Sequence, residues 1–426
     1  METFLLGLAL LILALLGAPL FAIIGVIALL AFSAEGISTS VLMVDLNRIA
    51  TDPILVAIPL FTLAGYVLAE SKAPTRLVNL ARALFGSFSG GLAIVALVTC
   101  AMFTAFTGAS GVTIVAMGGL LYPILLEEKY PQRFTLGLIT TSGSLGLLFP
   151  PSLPIILYAL VAEISIDRLF AAGLVPGVLL ILLLSTYGVV RARSWNVPKH
   201  RFDLGVALRA LRAAGWEIPL PIVIVVGIYT GIFTATEAAA VTSFYVIVVE
   251  VFIQRDLHIV RDLPRVMRES IVLVGAILMI IGVAMGFTNY LIDQEVPNAL
   301  FEFTKSFISS PVVFLIVLNL FLLVVGMMMD IFSAIIVVVP LIVPIATAYG
   351  IDPVHLGIVF LTNLEIGYLT PPVGLNLFIS SLRFKTPVFT IVRATLPYIG
   401  ILLVALAVIT YVPDLSLWLV QVLGVK

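Results

Sequence analysis

Four stretches of this chain, residues 90–107, 112–126, 134–162 and 169–190, contain no charged side chain. Runs of that kind placed close together fit either a very dry core or a lipid bilayer. In a helix, about 20 apolar residues match the thickness of a hydrocarbon core. Composition decides between the two. Of 426 residues, 62 % are hydrophobic and 11 % charged, with mean hydropathy +1.24. A soluble domain carries about 25 % charged residues, so too few are present here to coat a water-facing surface. A soluble enzyme, a disordered chain and a nucleic-acid binder are excluded. What remains is an all-α polytopic membrane protein with room for roughly ten spans.

Other chemistry-bearing patterns are absent. Cys100 is the only cysteine, and His200, His258 and His355 lie far apart, so no disulfide framework or metal-ligand pair is expected. No Lys directly follows a Gly, which removes the phosphate-binding loop of ATPases. The first basic residue is Arg48, so the N-terminus lacks the positive region of a secretory signal and reads as retained membrane segments.

Basic residues sort the loops. They cluster at Lys72, Arg76 and Arg82, from Arg191 to Arg212, from Arg255 to Arg268, and at Arg383, Lys385 and Arg393. Excess Lys and Arg mark the cytoplasmic side, so each pair of clusters must be separated by an even number of crossings. Two apolar runs, 217–233 and 235–254, separate the second and third. Between the first and second the count is even only if residues 90–126 double back at Gly108-Ala109-Ser110-Gly111. That tip carries no charge. It suits a buried re-entrant turn, and two ordinary spans with a short outer loop satisfy the same parity.

The chain also repeats itself at an offset of 221 residues. Pro150-Pro151 matches Pro371-Pro372, Gly146 matches Gly367, Pro123 matches Pro344 and Gly65 matches Gly286, with no gap. The expected organisation is a first repeat over 1–192, a cytoplasmic linker over 193–215 and a second repeat over 216–426. The first repeat holds an amphipathic arm at 36–50, a hairpin at 90–126 and a broken helix at 134–162. The second holds an arm at 256–270, a hairpin at 311–347 and a broken helix at 352–382. Five crossings per repeat is an odd number, so the second repeat is expected to be inverted relative to the first, which is a pattern of transporters with a site at the midplane.

The two Pro-Pro segments carry the chemistry. Adjacent prolines remove two backbone donors and push the preceding residue out of helical geometry. The helix unwinds there, and its freed carbonyls need a partner. A small hard cation such as Na⁺ serves, and nearby half-helix N-termini favour a carboxylate. A plain proline kink is the alternative. Asp330 lies in an otherwise uncharged run, where an ionised group costs about 2.5–3.5 kcal/mol. It reads either as a ligand for cation or substrate or as a cap for the following half-helix. Glu365 reads as a packing tether or a binding group, and Glu237 as structural.

Three stretches are similar to one family: Gly231-Ile232-Phe233-Thr234-Ala235-Thr236-Glu237-Ala238-Ala239-Ala240, Phe149-Pro150-Pro151-Ser152, and Asn363-Leu364-Glu365-Ile366-Gly367 through Thr370-Pro371-Pro372-Val373-Gly374-Leu375-Asn376. Over essentially its whole length the chain resembles the large membrane (permease) subunit of TRAP transporters, of the DctM/SiaM type. The resemblance implies a fold of the elevator-type ion-transporter superfamily in the bacterial inner membrane, with two re-entrant hairpins and two broken helices. It implies a Na⁺-coupled importer of organic acids, of C4-dicarboxylate or sialic acid type. Its partners would be a periplasmic substrate-binding protein and a separate small four-helix membrane subunit. Carried onto this sequence, one sodium site takes Ser110, Gly146, Phe149 and Pro151, and the other Gly326, Gly367, Thr370 and Pro372. Ser152 and Asp330 would face substrate. A stand-alone Na⁺/carboxylate symporter of the same superfamily is the nearest alternative. An intramembrane enzyme is a poorer one, because the deep acids Asp330 and Glu365 are far apart and no histidine sits at the centre of an apolar run.

Overall fold

The computed structural model describes residues 13, 18–50, 53–88, 90–195, 197 and 203–425, and among these it is all helical. The helices are α1 (Leu20–Ala34), α2 (Ser40–Ala50), α3 (Ala57–Glu70), α4 (Ala73–Phe85), α5 (Gly91–Thr107), α6 (Ser110–Glu127), α7 (Gln132–Ser142), α8 (Leu153–Val161), α9 (Ile166–Ser194) and α10 (Leu204–Ala213). They continue as α11 (Pro219–Tyr229), α12 (Ala235–Ile247), α13 (Leu263–Asp293), α14 (Val296–Phe307), α15 (Pro311–Met328), α16 (Ile331–Ala348), α17 (Pro353–Gly367), α18 (Leu375–Phe384), α19 (Val388–Tyr411) and α20 (Asp414–Leu423). Among the described residues, seven helices are long and apolar enough to cross a membrane, or eight if the pair Gln132–Leu148 and Leu153–Val161, bent by 46°, is one span.

Local chemistry sets the helix ends. Proline occupies the first turn of α4, α8, α11, α13, α14, α15 and α17, where its missing N–H costs nothing. Asp203, Asp330 and Asp352 cap α10, α16 and α17 through their carboxylates. Thr234 and Glu237 form a reciprocal capping box at the start of α12, which gives Glu237 the structural role expected of it.

The helix bounds repeat at the offset seen in the sequence. Adding 221 to the bounds of α6, Ser110–Glu127, gives those of α16, Ile331–Ala348, and adding it to Gln132 gives Pro353, the start of α17. Packing repeats as well. Helix α6 packs against α18 and its mate α16 against α8, while α7 packs against α19 and its mate α17 against α9. A two-fold relation between halves requires this exchange.

One expectation meets a different structure. Residues 256–262 form an irregular connection with a turn over 259–262, and Pro264 in its first turn starts the 31-residue α13, so the segment 256–270 is no separate arm. Its polar residues sit on a connection and on the first turns of a spanning helix. The linker 193–215, where described, contains the amphipathic helix α10, with Leu204, Leu208 and Leu211 exposed. Gly17-Ala18-Pro19, where the sequence also suggests a break into two short spans, lies partly outside the described residues.

One polar knot ties α4 to the segments around α11 and α12. Arg76 donates from Nε to Glu217 at 2.5 Å, from Nη1 to Asp256 at 2.5 Å and from Nη2 to Glu250 at 2.8 Å. Burial acts to lower the pKa of Arg76; its hydrogen bonds to Asp256 and Glu250 and the surrounding negative charge outweigh it and raise the pKa.

Candidate functional site

The first hairpin turns at Gly108, where φ is +63°. A left-handed residue ends α5 there, and glycine adopts it without a Cβ penalty. A Cβ at Gly108 would also lie 2.7 Å from the Leu153 side chain, so the tip rests on the first turn of α8. Helix α6 begins two residues later at Ser110, which is buried.

The first broken helix passes beneath this tip. Helix α7 stops at Ser142, a 3₁₀ turn covers Leu145–Leu148, and the chain turns at Pro150-Pro151 before α8 starts at Leu153. The Pro150–Pro151 peptide is cis. A Cβ on Gly143 would meet the Ser110 carbonyl at 3.3 Å, and one on Gly146 would meet the Ala105 backbone nitrogen at 2.5 Å. These two glycines therefore let the unwound segment lie directly on the hairpin backbone. The Thr104 hydroxyl lies 2.9 Å from the Gly143 carbonyl and 2.7 Å from the Thr113 hydroxyl, which ties both arms to the break.

The second hairpin is built alike. Helix α15 ends at Met328, Met329 is extended and Asp330 starts α16. A Cβ on Gly326 would lie 3.0 Å from Leu364 Cα and 3.2 Å from Gly367 Cα. Gly374 N donates to the Met327 carbonyl at 3.1 Å, and Thr370 N to the Gly367 carbonyl at 2.9 Å. Gly326, Gly367 and the turn carrying Thr370 thus lie together. The breaks differ in cover: Pro151 and Ser152 are buried, whereas Pro371, Pro372 and Val373 are exposed.

Three predicted residues have neighbours that the sequence did not reveal. Ser110 Oγ reaches across the repeats and donates to Asn376 Oδ1 at 2.7 Å. The Phe149 ring packs over Gly177 of α9, at 2.7 Å from where a Cβ would stand. Its carbonyl accepts from Ser152 N at 3.0 Å. Asp330 Oδ1 accepts from Phe332 N at 3.0 Å and Ser333 N at 3.1 Å, and Oδ2 accepts from the Ser333 hydroxyl. Asp330 therefore caps α16.

Around Ser110 runs a buried polar seam that sequence reasoning passed over. Asn376 Nδ2 donates to the Thr140 carbonyl at 3.4 Å, and Thr140 Oγ1 lies 2.9 Å from Ser380 Oγ. Asn376 ends the second Pro-Pro motif and Thr140 opens the polar run Thr140-Thr141-Ser142 ahead of the first, so both carried a visible signal; Ser380 did not. Several buried oxygens have no hydrogen-bond partner among the described residues: the hydroxyls of Thr107, Thr141 and Ser152 and both carboxyl oxygens of Glu365. A buried unpaired oxygen costs about 1–3 kcal/mol. Such hydroxyls are hard oxygen donors, of the kind that a monovalent cation or ordered water accepts. Among the described residues no cluster of His, Cys, Asp and Glu could hold a metal ion.

Comparison with known proteins adds a family. Residues 4–415 match the model of the tripartite ATP-independent periplasmic transporter, DctM component. The chain is 38 % identical over 403 residues to the C4-dicarboxylate TRAP transporter large permease protein DctM of Pseudomonas aeruginosa, covering 94 % of each chain. It is 32 % identical over 366 residues to the ectoine TRAP transporter large permease protein TeaC of Halomonas elongata, covering 86 % of each. In fold it is similar to the YdaH transporter of Alcanivorax borkumensis, with TM-score 0.61 at 14 % identity over 88 % of this chain and 87 % of that one.

Proposed function

The chain belongs to the DctM component family of tripartite ATP-independent periplasmic transporters, as a multi-pass large permease of the bacterial inner membrane, and we propose that it imports an organic acid by coupling to Na⁺. The observation that supports this most is the seating of each hairpin tip on its own broken helix through paired glycines, beside buried oxygens that lack partners.

In this reading both tips are re-entrant and the repeats are inverted. Ser110, Gly146, Phe149 and Pro151 frame one sodium site, and Gly326, Gly367, Thr370 and Pro372 the other. Ser152 and Asp330 face the substrate. Bound sodium ions supply positive charge where a substrate carboxylate approaches. The protein's part is positional: the glycines allow backbone oxygens to converge, Asp330 fixes the start of α16, and the Ser110–Asn376 contact joins the halves. The domain carrying both hairpins then slides across the bilayer against a scaffold that includes α11, α12 and α13. A periplasmic substrate-binding protein delivers the substrate, and a small four-helix membrane subunit braces the scaffold.

A C4-dicarboxylate is the first substrate to test, because the relative at 38 % identity is named for it. An ectoine permease at 32 % identity widens the field, and sialic acids belong to the same reading. Two Na⁺ with a dicarboxylate move no net charge, whereas two Na⁺ with a monocarboxylate move one, which is worth about 2.3 kcal/mol per 100 mV.

The test is uptake of a C4-dicarboxylate into proteoliposomes holding the permease and its small subunit, with and without the binding protein. The reading expects uptake that needs both an inward Na⁺ gradient and the binding protein. Uptake without the binding protein would indicate a stand-alone symporter, and uptake driven by a pH gradient without Na⁺ would remove the sodium sites.

A further inference from the structure

Five described arginines, Arg76, Arg82, Arg168, Arg261 and Arg265, meet carboxylates. Arg133 and Arg191 are arranged differently. They line a cavity of about 410 Å³ between the start of α7, the end of α9 and the middle of α19, and no carboxylate lines it. Its other walls are aromatic, including Phe134, Tyr187, Trp195 and Tyr398.

The walls are held in place. The Arg191 guanidinium lies 4.8 Å over the Trp195 ring, which meets Phe134 edge-on at 5.0 Å. Arg133 Nη2 donates to the Arg393 carbonyl at 2.8 Å. The Tyr398 hydroxyl donates to the Phe134 carbonyl at 3.0 Å, and Tyr398 meets Tyr187 edge-on at 5.2 Å. Arg191 and Arg393 belong to the basic segments that the positive-inside rule puts on the cytoplasmic face, and Arg133 lies beside them. Tyr and Trp around them match the belt found where a bilayer meets water.

Two arginines, no neutralising acid and an aromatic collar at that depth make a receptor for a phosphate. Free phosphate would be held poorly, because both arginines are exposed and screened by salt. A phosphate attached to acyl chains gains from apolar contact as well, at about 0.8 kcal/mol per buried methylene. The same two long helices also carry exposed apolar side chains, Val190 on α9 and Leu396 and Val404 on α19. We propose that this cavity binds the headgroup phosphate of an anionic phospholipid of the cytoplasmic leaflet. The lipid bridges α7 and α9 of the first repeat to α19 of the second, and so fastens the two repeats on that face. Neither sodium coupling nor the substrate enters this argument.

The experiment uses the purified full chain in a neutral detergent. Its thermal unfolding midpoint is followed while phosphatidylglycerol, phosphatidylcholine or inorganic phosphate is added at constant ionic strength. The expected result is a saturable rise with phosphatidylglycerol and little with the other two. Arg133→Gln with Arg191→Gln should weaken the phosphatidylglycerol response about fivefold per arginine. Arg191→Gln alone keeps the Arg133–Arg393 bond, so it reports on the site even if the double variant folds poorly. Arg212→Gln, on α10, should behave as the unchanged protein does. Equal rises with phosphatidylglycerol and phosphatidylcholine would overturn the proposal, as would an undiminished response in Arg191→Gln. An equal response to inorganic phosphate would make this a soluble-anion site and overturn the lipid assignment.

Discussion

Ser110 and Asn376 are 266 residues apart in sequence and 2.7 Å apart in space. This bond joins the tip of the first hairpin to the first turn of α18, beyond the second break, so it links the halves of the molecule at the point where both unwind. Ser110→Ala should cost about 1–3 kcal/mol by leaving a buried amide oxygen unpaired. Asn376→Ala should cost at least as much, because its bond to the Thr140 carbonyl is lost too. The double variant should be less destabilised than the sum, with a coupling of about 0.5–3 kcal/mol, measured by thermal unfolding of all four proteins.

Gly367 is pressed against the backbone of Gly326 and Met327, with no flexible side chain between them to give way. Gly367→Ala should therefore lift the second tip from its broken helix and abolish uptake. Gly275 on α13 is the matched control, because a Cβ there meets nothing within 4 Å. Gly275→Ala should leave uptake within about twofold and stability equal or slightly higher, since alanine is the better helix former.

Asp330 separates capping from binding. Asparagine caps a helix about as well as aspartate, so Asp330→Asn should keep the unfolding midpoint. It removes the charge, so uptake should fall steeply if the carboxylate serves cation or substrate. Asp330→Ala should lose both, with about 0.5–2 kcal/mol of stability. Full uptake in Asp330→Asn would reduce the residue to a cap.

Arg76 compensates three buried acids. Arg76→Ala should destabilise the chain by about 3–5 kcal/mol, the cost of uncompensated buried charge. Arg76→Lys should recover only part of that, because an ammonium cannot reproduce the three-way fork of a guanidinium. Expression level and midpoint in detergent report both.

What could be read in the sequence was whatever proline and glycine control locally. Pro150-Pro151 and Pro371-Pro372 marked the breaks, and Gly108 and Gly326 marked the hairpin ends, because backbone geometry is set by the residues themselves. The arm at 256–270 failed for a local reason that was present but unused: Pro264 opens a helix that then runs on through apolar residues to Asp293. Long-range pairings had no such signal. Nothing near Ser110 indicates Asn376, and nothing in the first break indicates that it is buried while Pro371 to Val373 are exposed. Those features depend on how the halves pack.

The central claim is that the two tips hold sodium. The most direct measurement is the thermal unfolding midpoint of the purified chain in Na⁺ and in K⁺ at equal ionic strength, which needs neither substrate nor partner. A site filled at a hundred times its dissociation constant adds about 2.7 kcal/mol. The account predicts a saturable rise specific to Na⁺ that shrinks in Ser110→Ala and Asp330→Ala. Equal midpoints in the two salts up to high concentration would contradict it.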